Sequence, residues 1–409
     1  MPLIPETVID EVLARVDLAE LIGRYVPLKR AGRHFKANCP FHHERTPSFM
    51  VNTDRQIFHC FGCGVGGNAF GFLMRYDRMT FPEAVRHLAE HVGVRIPESG
   101  EPASKELHER LYDLMEKACR YFERMLVHPQ RGAAARAYLT RRGVSERTAR
   151  LFRVGLAPAG WRGLLAAARS ASIPADHLEP AGLVINGPSG AYDRFRHRLM
   201  FPIMDLRSRV VGFGGRSLDA QEPKYLNSPE TPIYTKGRQL FGLAQAKEAI
   251  LKTKTAVIVE GYFDGVVLSE AGLSHVVSPQ GTALTIEQAR LLKRYAEGVI
   301  LAFDADAAGE AAALRGMDLL IEVGLQVRVA QLPTGVDPDD YLRTYGRERF
   351  DGLLARAHSI FEFLVDIARK RYPFAETEGK VHAAQFVLPT IAKIPDSMLR
   401  RSMIGNMSR

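Results

Sequence analysis

Two groups of side chains in this sequence have the types and spacing to hold metal ions. Cys39 and His42, in CPFH, and Cys60 and Cys63, in CFGC, make a C-x2-H…C-x2-C pattern, with Cys60 eighteen positions after His42. Two ligand pairs on tight turns can converge on one Zn²⁺, whose preference for thiolate and imidazole this set satisfies with no open position, so the site reads as structural. His43 is the alternative histidine, but the third position after Cys39 matches the usual turn spacing and favours His42. The glycines of CFGCGVGGN give the backbone freedom that a metal-wrapping turn needs, which argues against ordinary core cysteines.

The second group is acidic. Glu260 ends TAVIVE, Asp304 and Asp306 end GVILAFDAD, and Asp337 and Asp339 lie in GVDPDD after another apolar run. Carboxylates gathered at one edge repel one another unless a hard cation compensates. Mg²⁺ suits them because it takes a few carboxylates, keeps waters and leaves positions for phosphate oxygens. Two such ions would serve an in-line attack of a 3′-hydroxyl on an α-phosphate. N-capping of the helix AAGEAAALRGM is the structural alternative for Asp304 and Asp306. A Walker-type phosphate loop is missing, since TEGKVH lacks both ends of the pattern, and this argues against a P-loop ATPase.

The elements that must position these residues follow from periodicity. TAVIVE, SHVVSP, GVILAFDAD and LQVRVAQLP are apolar runs of strand length. They alternate with the helical patterns GYFDGVVLSEAG, TIEQARLLKRYAEG and AAGEAAALRGMDLLIEVG. This is βαβ alternation, hence a parallel sheet with helices on its faces and ligands at the strand C-terminal ends. Around the cysteines, FMVNTDRQIFHCF alternates as two strands of a zinc-ribbon sheet. Phe35, Lys36, Arg45, Phe49, Arg55 and Phe58 stud that region, either as base-stacking and phosphate-contacting groups or, for the phenylalanines, as its core. A linker is expected at Ile96–Ser104, and SIFEFLVDIARKRY and VHAAQFVLPTIAKI are amphipathic helices.

The 409 residues, 46% hydrophobic and 25% charged, suit a globular chain of several domains. A formal net charge of +9 points to a polyanionic partner. The four cysteines are too few for a disulfide scaffold; Cys119 falls on the apolar side of a helical pattern as a small hydrophobe. Neither a membrane-spanning run nor a signal peptide is visible, so a cytoplasmic location is expected.

CPFHHERTPSF, FHCFGCGVGGNAFGF, DRFRHRLMFPIMD, VVGFGGR, PKYLNSPETPIYTKGRQLFGL, VIVEGYFDGV, SPQGTALT, LAFDADAAG and GVDPDDYL together resemble bacterial DNA primases along essentially the whole chain. The resemblance implies a multi-domain α/β protein: a zinc-ribbon template-binding domain over 1–103, a mixed α+β basic part of the polymerase core over 104–252, a Toprim α/β parallel-sheet domain over 253–337, and a helical subdomain over 338–409. It implies synthesis of short RNA primers on single-stranded DNA from ribonucleoside triphosphates, with structural Zn²⁺ and two or more catalytic Mg²⁺, Mn²⁺ being a possible substitute. Glu260, Asp304 and Asp306 would be catalytic metal ligands, with Asp264, Asp337 and Asp339 completing the cluster. Arg142 (with neighbouring Arg141 as the alternative), Arg216, Lys224, Asn227 and Lys236 would form a ridge for template and nucleotides.

Because Toprim motifs also serve topoisomerases and nucleases, those activities and a non-catalytic nucleic-acid binder are the competing readings. The chain stops at MIGNMSR, where the family carries a further helical domain for the replicative helicase. The expectation is that this docking domain is missing, that the chain is a fragment or short form, and that the last helices only cover the Toprim layer, the competing view being that these helices themselves form a reduced docking module.

Overall fold

A computed structural model describes Ile4 and residues 6–94, 102–219, 222–281, 283–304 and 307–407. Asp306 and most of the expected Ile96–Ser104 linker lie outside the described residues. The chain divides into two compact units, Met1–Lys105 and Glu106–Arg409.

In the first unit five short strands, Lys29–Ala31, His34–Ala37, Phe49–Asn52, Ile57–Cys60 and Gly66–Gly67, pair antiparallel in chain order. Strict alternation puts Phe49, Val51, Phe58 and Cys60 inward. Phe49 and Phe58 stack with centroids 5.2 Å apart, and Phe72 meets Phe58 edge-on at 5.7 Å. Phe72 belongs to the helix Ala69–Tyr76, whose start is fixed by the Asn68 side chain accepting the Gly71 N–H at 3.1 Å. Phe49 and Phe58 are therefore core, which decides between their two expected readings, and Phe35 packs half-buried against the same cluster.

The second unit takes up the helix Pro102–Val127 from Glu106 onward and builds a four-stranded sheet in the order Tyr225–Asn227, Val210–Ser217, Arg198–Met204, Gly155–Ala157, antiparallel throughout. Cys119 is fully buried, as its helical position suggested. The strands Val276–Val277, Thr255–Ile258, Gly298–Leu301 and Gln326–Val329 then lie side by side in that order, all parallel. A fifth strand, His358–Ser359, joins antiparallel at the edge and interrupts the stretch expected to be helical. The helices Tyr262–Glu270, Ile286–Lys293 and Ala307–Glu322 form the crossovers.

Both faces of the central strands Thr255–Ile258 and Gly298–Leu301 are buried, which is why they read as continuous apolar runs. Ala256, Ile258, Val299, Leu301, Val327 and Val329 pack with the helices Leu243–Thr253, Ile286–Lys293, Ala307–Glu322, Ile360–Arg371 and Thr377–Ala392. Val257, Val259, Ile300 and Ala302 face the other way, onto Phe201, Tyr234, Phe241, Tyr262 and Phe263. The two sheets share that second core, so the antiparallel sheet and the strand ends are held as one body.

Gly214 marks the tightest point of this join. A Cβ there would lie 2.4 Å from Tyr262 Cζ, and Tyr262 is fully buried with its hydroxyl on Asn227 Oδ1 at 2.6 Å. Gly214→Ala should destabilise the protein by about 1–3 kcal/mol through overpacking, read as a lowered denaturant midpoint; an unchanged midpoint would mean that the ring has room to move.

Candidate metal centres and nucleic-acid interface

In the first unit the turn after His34–Ala37 and the turn after Ile57–Cys60 bring Cys39, His42, Cys60 and Cys63 together, one ligand atom from each within 4.8 Å of the others. Cys39 Sγ and Cys63 Sγ are 3.8 Å apart, and Cys60 Sγ is 3.8 Å from His42 Nδ1. The first distance matches the edge of a tetrahedron with Zn–S bonds of about 2.3 Å, roughly 3.8 Å. Three thiols and one imidazole at this spacing fit Zn²⁺, and His42 rather than His43 takes part. Burial pushes the Cys39 thiol up to about 12. Against the same upward push of burial, the Ser48 hydroxyl and the Cys63 and Gly62 N–H groups bring Cys60 down to about 6.

Glu44 organises this cluster, and spacing alone did not reveal it. Its Oε1 accepts the Cys39 and Ser48 N–H groups at 2.7 and 3.0 Å, and its Oε2 accepts the Ser48 hydroxyl at 2.5 Å. The same Oε2 lies 3.2 Å from His42 Nε2, the ring nitrogen opposite the one that faces the cysteines. A carboxylate on the second ring nitrogen fixes the tautomer and raises ligand basicity.

In the second unit the parallel register carries the ends of Thr255–Ile258 and Gly298–Leu301 to one edge of the sheet. Glu260 Oε1 there accepts the Asp304 N–H at 3.2 Å. Asp264, in the first turn of Tyr262–Glu270, accepts the Gly261 N–H at 3.1 Å. Burial and the carboxylates of Asp337, Asp304 and Asp339 push Asp264 up to about 7. Asp337 caps the helix Pro338–Ala355 through the Asp340 N–H at 2.6 Å, and Asp337, Asp339 and Asp340 gather within 4.8 Å. Glu260, Asp264, Asp304, Asp337 and Asp339 are thus neighbours at one sheet edge. Oxygen donors crowded to the point of raising a carboxyl fit a hard divalent cation.

Asp339 differs from its neighbours. It is completely buried, with Oδ2 paired to Arg142 and Oδ1 bonded to Arg343 Nε at 2.9 Å. Burial pushes its carboxyl up against the opposing pull of Arg142 and Arg343. Arg142 is therefore drawn to the acids, whereas Arg141 is exposed.

The ridge residues meet the acidic edge through one ring. The Arg142 and Arg216 guanidinium groups lie 4.9 and 5.2 Å from the Phe263 centroid, beside Asp264. Arg216 also covers Tyr138 and Tyr225 and donates to the Tyr225 hydroxyl at 2.5 Å. Asn227 lies opposite Gly214 on the adjacent strand, Lys224 is exposed, and Lys236 is half-buried, which lowers its ammonium pKa. Trp161, which the sequence reading passed over, is 63% exposed; Arg196 sits 4.5 Å from its centroid and Tyr192 5.4 Å. As the only tryptophan, it offered no pattern that would have singled it out.

A zinc ribbon and a parallel-sheet unit with clustered acids beside stacked arginines define a metal-dependent protein of the Toprim type. Residues 4–104 match the CHC2 zinc finger family, 121–247 the DNA primase catalytic core N-terminal domain, and 257–342 the Toprim-like family. The DNA primase of Clostridium acetobutylicum is 41% identical over 93% of this chain and 63% of its own length. That of Escherichia coli strain K12 is 40% identical over 98% and 71%. The chain spans about two thirds of the length of these curated relatives. The Aquifex aeolicus primase structure (zinc binding and RNA polymerase domains) aligns at a TM-score of 0.66 and 33% identity over 98% of this chain and 96% of that one. A structure of the DnaG primase catalytic domain bound to ssDNA aligns at 0.67 and 35% over 74% and 99%. This chain belongs to the bacterial DNA primase family.

Residues 361–409 match the DnaB-helicase binding domain of primase. This corrects the expectation that the docking domain is missing: amphipathic periodicity that covers a core looks the same as periodicity that also carries a docking domain. Among the described residues, no helix is long and apolar enough to cross a membrane.

Glu44→Gln should speed zinc loss to a chelator roughly 10- to 100-fold, the usual effect of removing an outer-shell partner, while the zinc content before challenge stays at one per chain. A release rate equal to the parent's would take Glu44 out of the metal centre.

Proposed function

We propose that this chain is a DNA-directed RNA polymerase that makes short RNA primers on single-stranded DNA by metal-assisted nucleotidyl transfer. The observation that carries the reading is the joining of the acidic sheet edge to Arg142 and Arg216 across the Phe263 ring, in a chain of the primase family. Growing primer, triphosphate and template are all anionic, so catalysis needs positive groups and cation ligands within one site. The division of labour follows the regions 1–103, 104–252, 253–337 and 338–409.

Glu260, Asp304 and Asp306 serve as ligands, with Asp264 and Asp337 beside them. These carboxylates would hold Mg²⁺, or Mn²⁺ in its place, which would supply activation of the 3′-hydroxyl and charge stabilisation for the leaving pyrophosphate. Lys236, half-buried, and Arg216, held on three rings, present fixed positive charge to the triphosphate. Asp339 orients Arg142 toward the same site. Zn²⁺, held by Cys39, His42, Cys60 and Cys63, is structural. The exposed Phe61 ring, 4.8 Å from His59, gives the zinc module a stacking face. The replicative helicase docks through residues 361–409.

A topoisomerase or nuclease would use the same acids to cleave DNA. Incubation with single-stranded DNA, ribonucleotides and Mg²⁺ separates the readings: short RNA is expected, and cleaved DNA or binding alone would overturn the proposal. Glu260→Gln and Asp304→Asn should each abolish nucleotide incorporation while leaving DNA affinity intact, because they remove ligands and not template contacts. Near-normal synthesis by either would make these acids structural.

Trp161→Ala should act in the opposite sense. Losing one base–aromatic stack weakens single-stranded DNA binding by about 1–3 kcal/mol, and its salt dependence should stay unchanged because no phosphate contact is lost. Fluorescence anisotropy over a salt series reads both, and parental affinity would exclude Trp161 from the template path.

A further inference from the structure

Glu260 lies just beyond the last residue of its strand, so something other than the sheet ladder must hold it. Its main-chain carbonyl accepts two hydrogen bonds from the loop after Val276–Val277: the Ser278 hydroxyl at 2.8 Å and the Gly281 N–H at 3.1 Å. Between these donors sits Gln280, 1% exposed and in the left-handed region at φ +69°. A glutamine in that conformation costs on the order of 1 kcal/mol or more and persists only where the surroundings over-determine it.

The surroundings here are four hydrogen bonds. Gln280 Oε1 accepts the Tyr234 hydroxyl at 2.6 Å, and Nε2 donates to the Gln239 carbonyl at 3.1 Å. Its main-chain N–H donates to Ser278 Oγ at 3.1 Å, which turns the Ser278 proton toward Glu260, and its carbonyl accepts Asn227 Nδ2 at 3.3 Å. Gln288, also buried, ties the same segment down by donating to the Lys236 and Gln239 carbonyls at 3.3 and 2.8 Å. Tyr234, Gln239 and Asn227 belong to the basic half, and Glu260 to the acidic sheet edge. An apolar side chain of equal volume would fill the space but serve neither partner; the amide supplies the acceptor for Tyr234 and the donor for Gln239 together.

We propose that Gln280 is a positioning residue: it fixes Glu260 relative to the segment that carries Asn227 and Lys236, and so sets the spacing between cation ligands and nucleotide contacts. The inference rests on the reading of Glu260 as a metal ligand. Gln280→Met keeps the volume and removes both side-chain bonds; Tyr234→Phe removes only the hydroxyl and is the milder variant should the first fail to fold.

Mn²⁺ binding to the full chain, followed by the electron paramagnetic resonance signal of the free ion, reads the site without turnover. Gln280→Met should weaken Mn²⁺ binding roughly tenfold, at the low end of what lost outer-shell support does, and Tyr234→Phe by less. Primer synthesis should lose kcat, with KM for ribonucleotide changed less, and single-stranded DNA affinity should be unchanged in both variants; a general loosening of the fold would weaken DNA binding too. Glu260→Gln is the reference. If it binds Mn²⁺ like the parent, the ligand reading fails and this proposal with it. If it binds weakly while both Gln280→Met and Tyr234→Phe bind like the parent, the positioning role alone is overturned.

Discussion

Mutual repulsion among carboxylates at the end of a parallel sheet is the constraint around which the second unit is arranged. Thr255–Ile258 and Gly298–Leu301 end at the same edge, so Glu260 and Asp304 are neighbours as soon as the sheet forms. Asp264 and Asp337 each accept an N–H in the first turn of a helix, where partial positive charge favours an anion. Asp339 is neutralised by two arginines, one of them contributed by the basic half. What these devices leave uncompensated is visible at Asp264, pushed up to about 7. The same crowding that is unfavourable in the bare protein is what a divalent cation would relieve.

The basic half is shaped by the same requirement. Among the described residues, Arg216 pairs with no carboxylate; it lies over Tyr138, Tyr225 and Phe263. Cation–π contacts hold a guanidinium in place without cancelling its charge for a ligand. Arg142, by contrast, is fastened to Asp339 and shares only the Phe263 ring. Two arginines expected to play one part in template and nucleotide binding are thus held by different physics.

How much of this was legible in the sequence depended on range. The Cys39, His42, Cys60 and Cys63 cluster comes as two local pairs, and Glu260, Asp304, Asp337 and Asp339 lie just beyond apolar runs, so spacing and periodicity suffice to single these out; Asp264, inside a helix, was reached only through the family resemblance. The βαβ order was legible because the central strands Thr255–Ile258 and Gly298–Leu301 are buried on both faces and read as apolar runs, while the outer strand Gln326–Val329 alternates. Partnerships across long separations were not: Arg142 and Asp339 are 197 residues apart, and Gln280 reaches Tyr234 across 46. Glu44 is close to its partners in sequence, yet its role depends on a loop folding back so that one carboxylate meets His42, Ser48 and the Cys39 amide. Phe49 and Phe58 were ambiguous because a strand's alternation does not say which of its faces is wet. Their cross-strand stacking answers that.

The C-terminal helices show why periodicity underdetermines use. Val387, Ile391 and Ile394 pack into the core with Met317 and Leu320 of Ala307–Glu322, and Leu364 and Ile367 join them, so this segment does cover the sheet as its apolar spacing suggested. Covering a core consumes one stripe of a helix, roughly 100° or more of its circumference. On Thr377–Ala392 the opposite side keeps Val381 and Leu388 exposed at 50% and 40%, one heptad apart. Packing therefore leaves a second apolar stripe of this helix uncovered. The inference from a core-covering pattern to a missing helicase-binding domain treated one stripe as the whole helix, and the family match over 361–409 is compatible with the packing because packing leaves a second face, with Val381 and Leu388, uncovered.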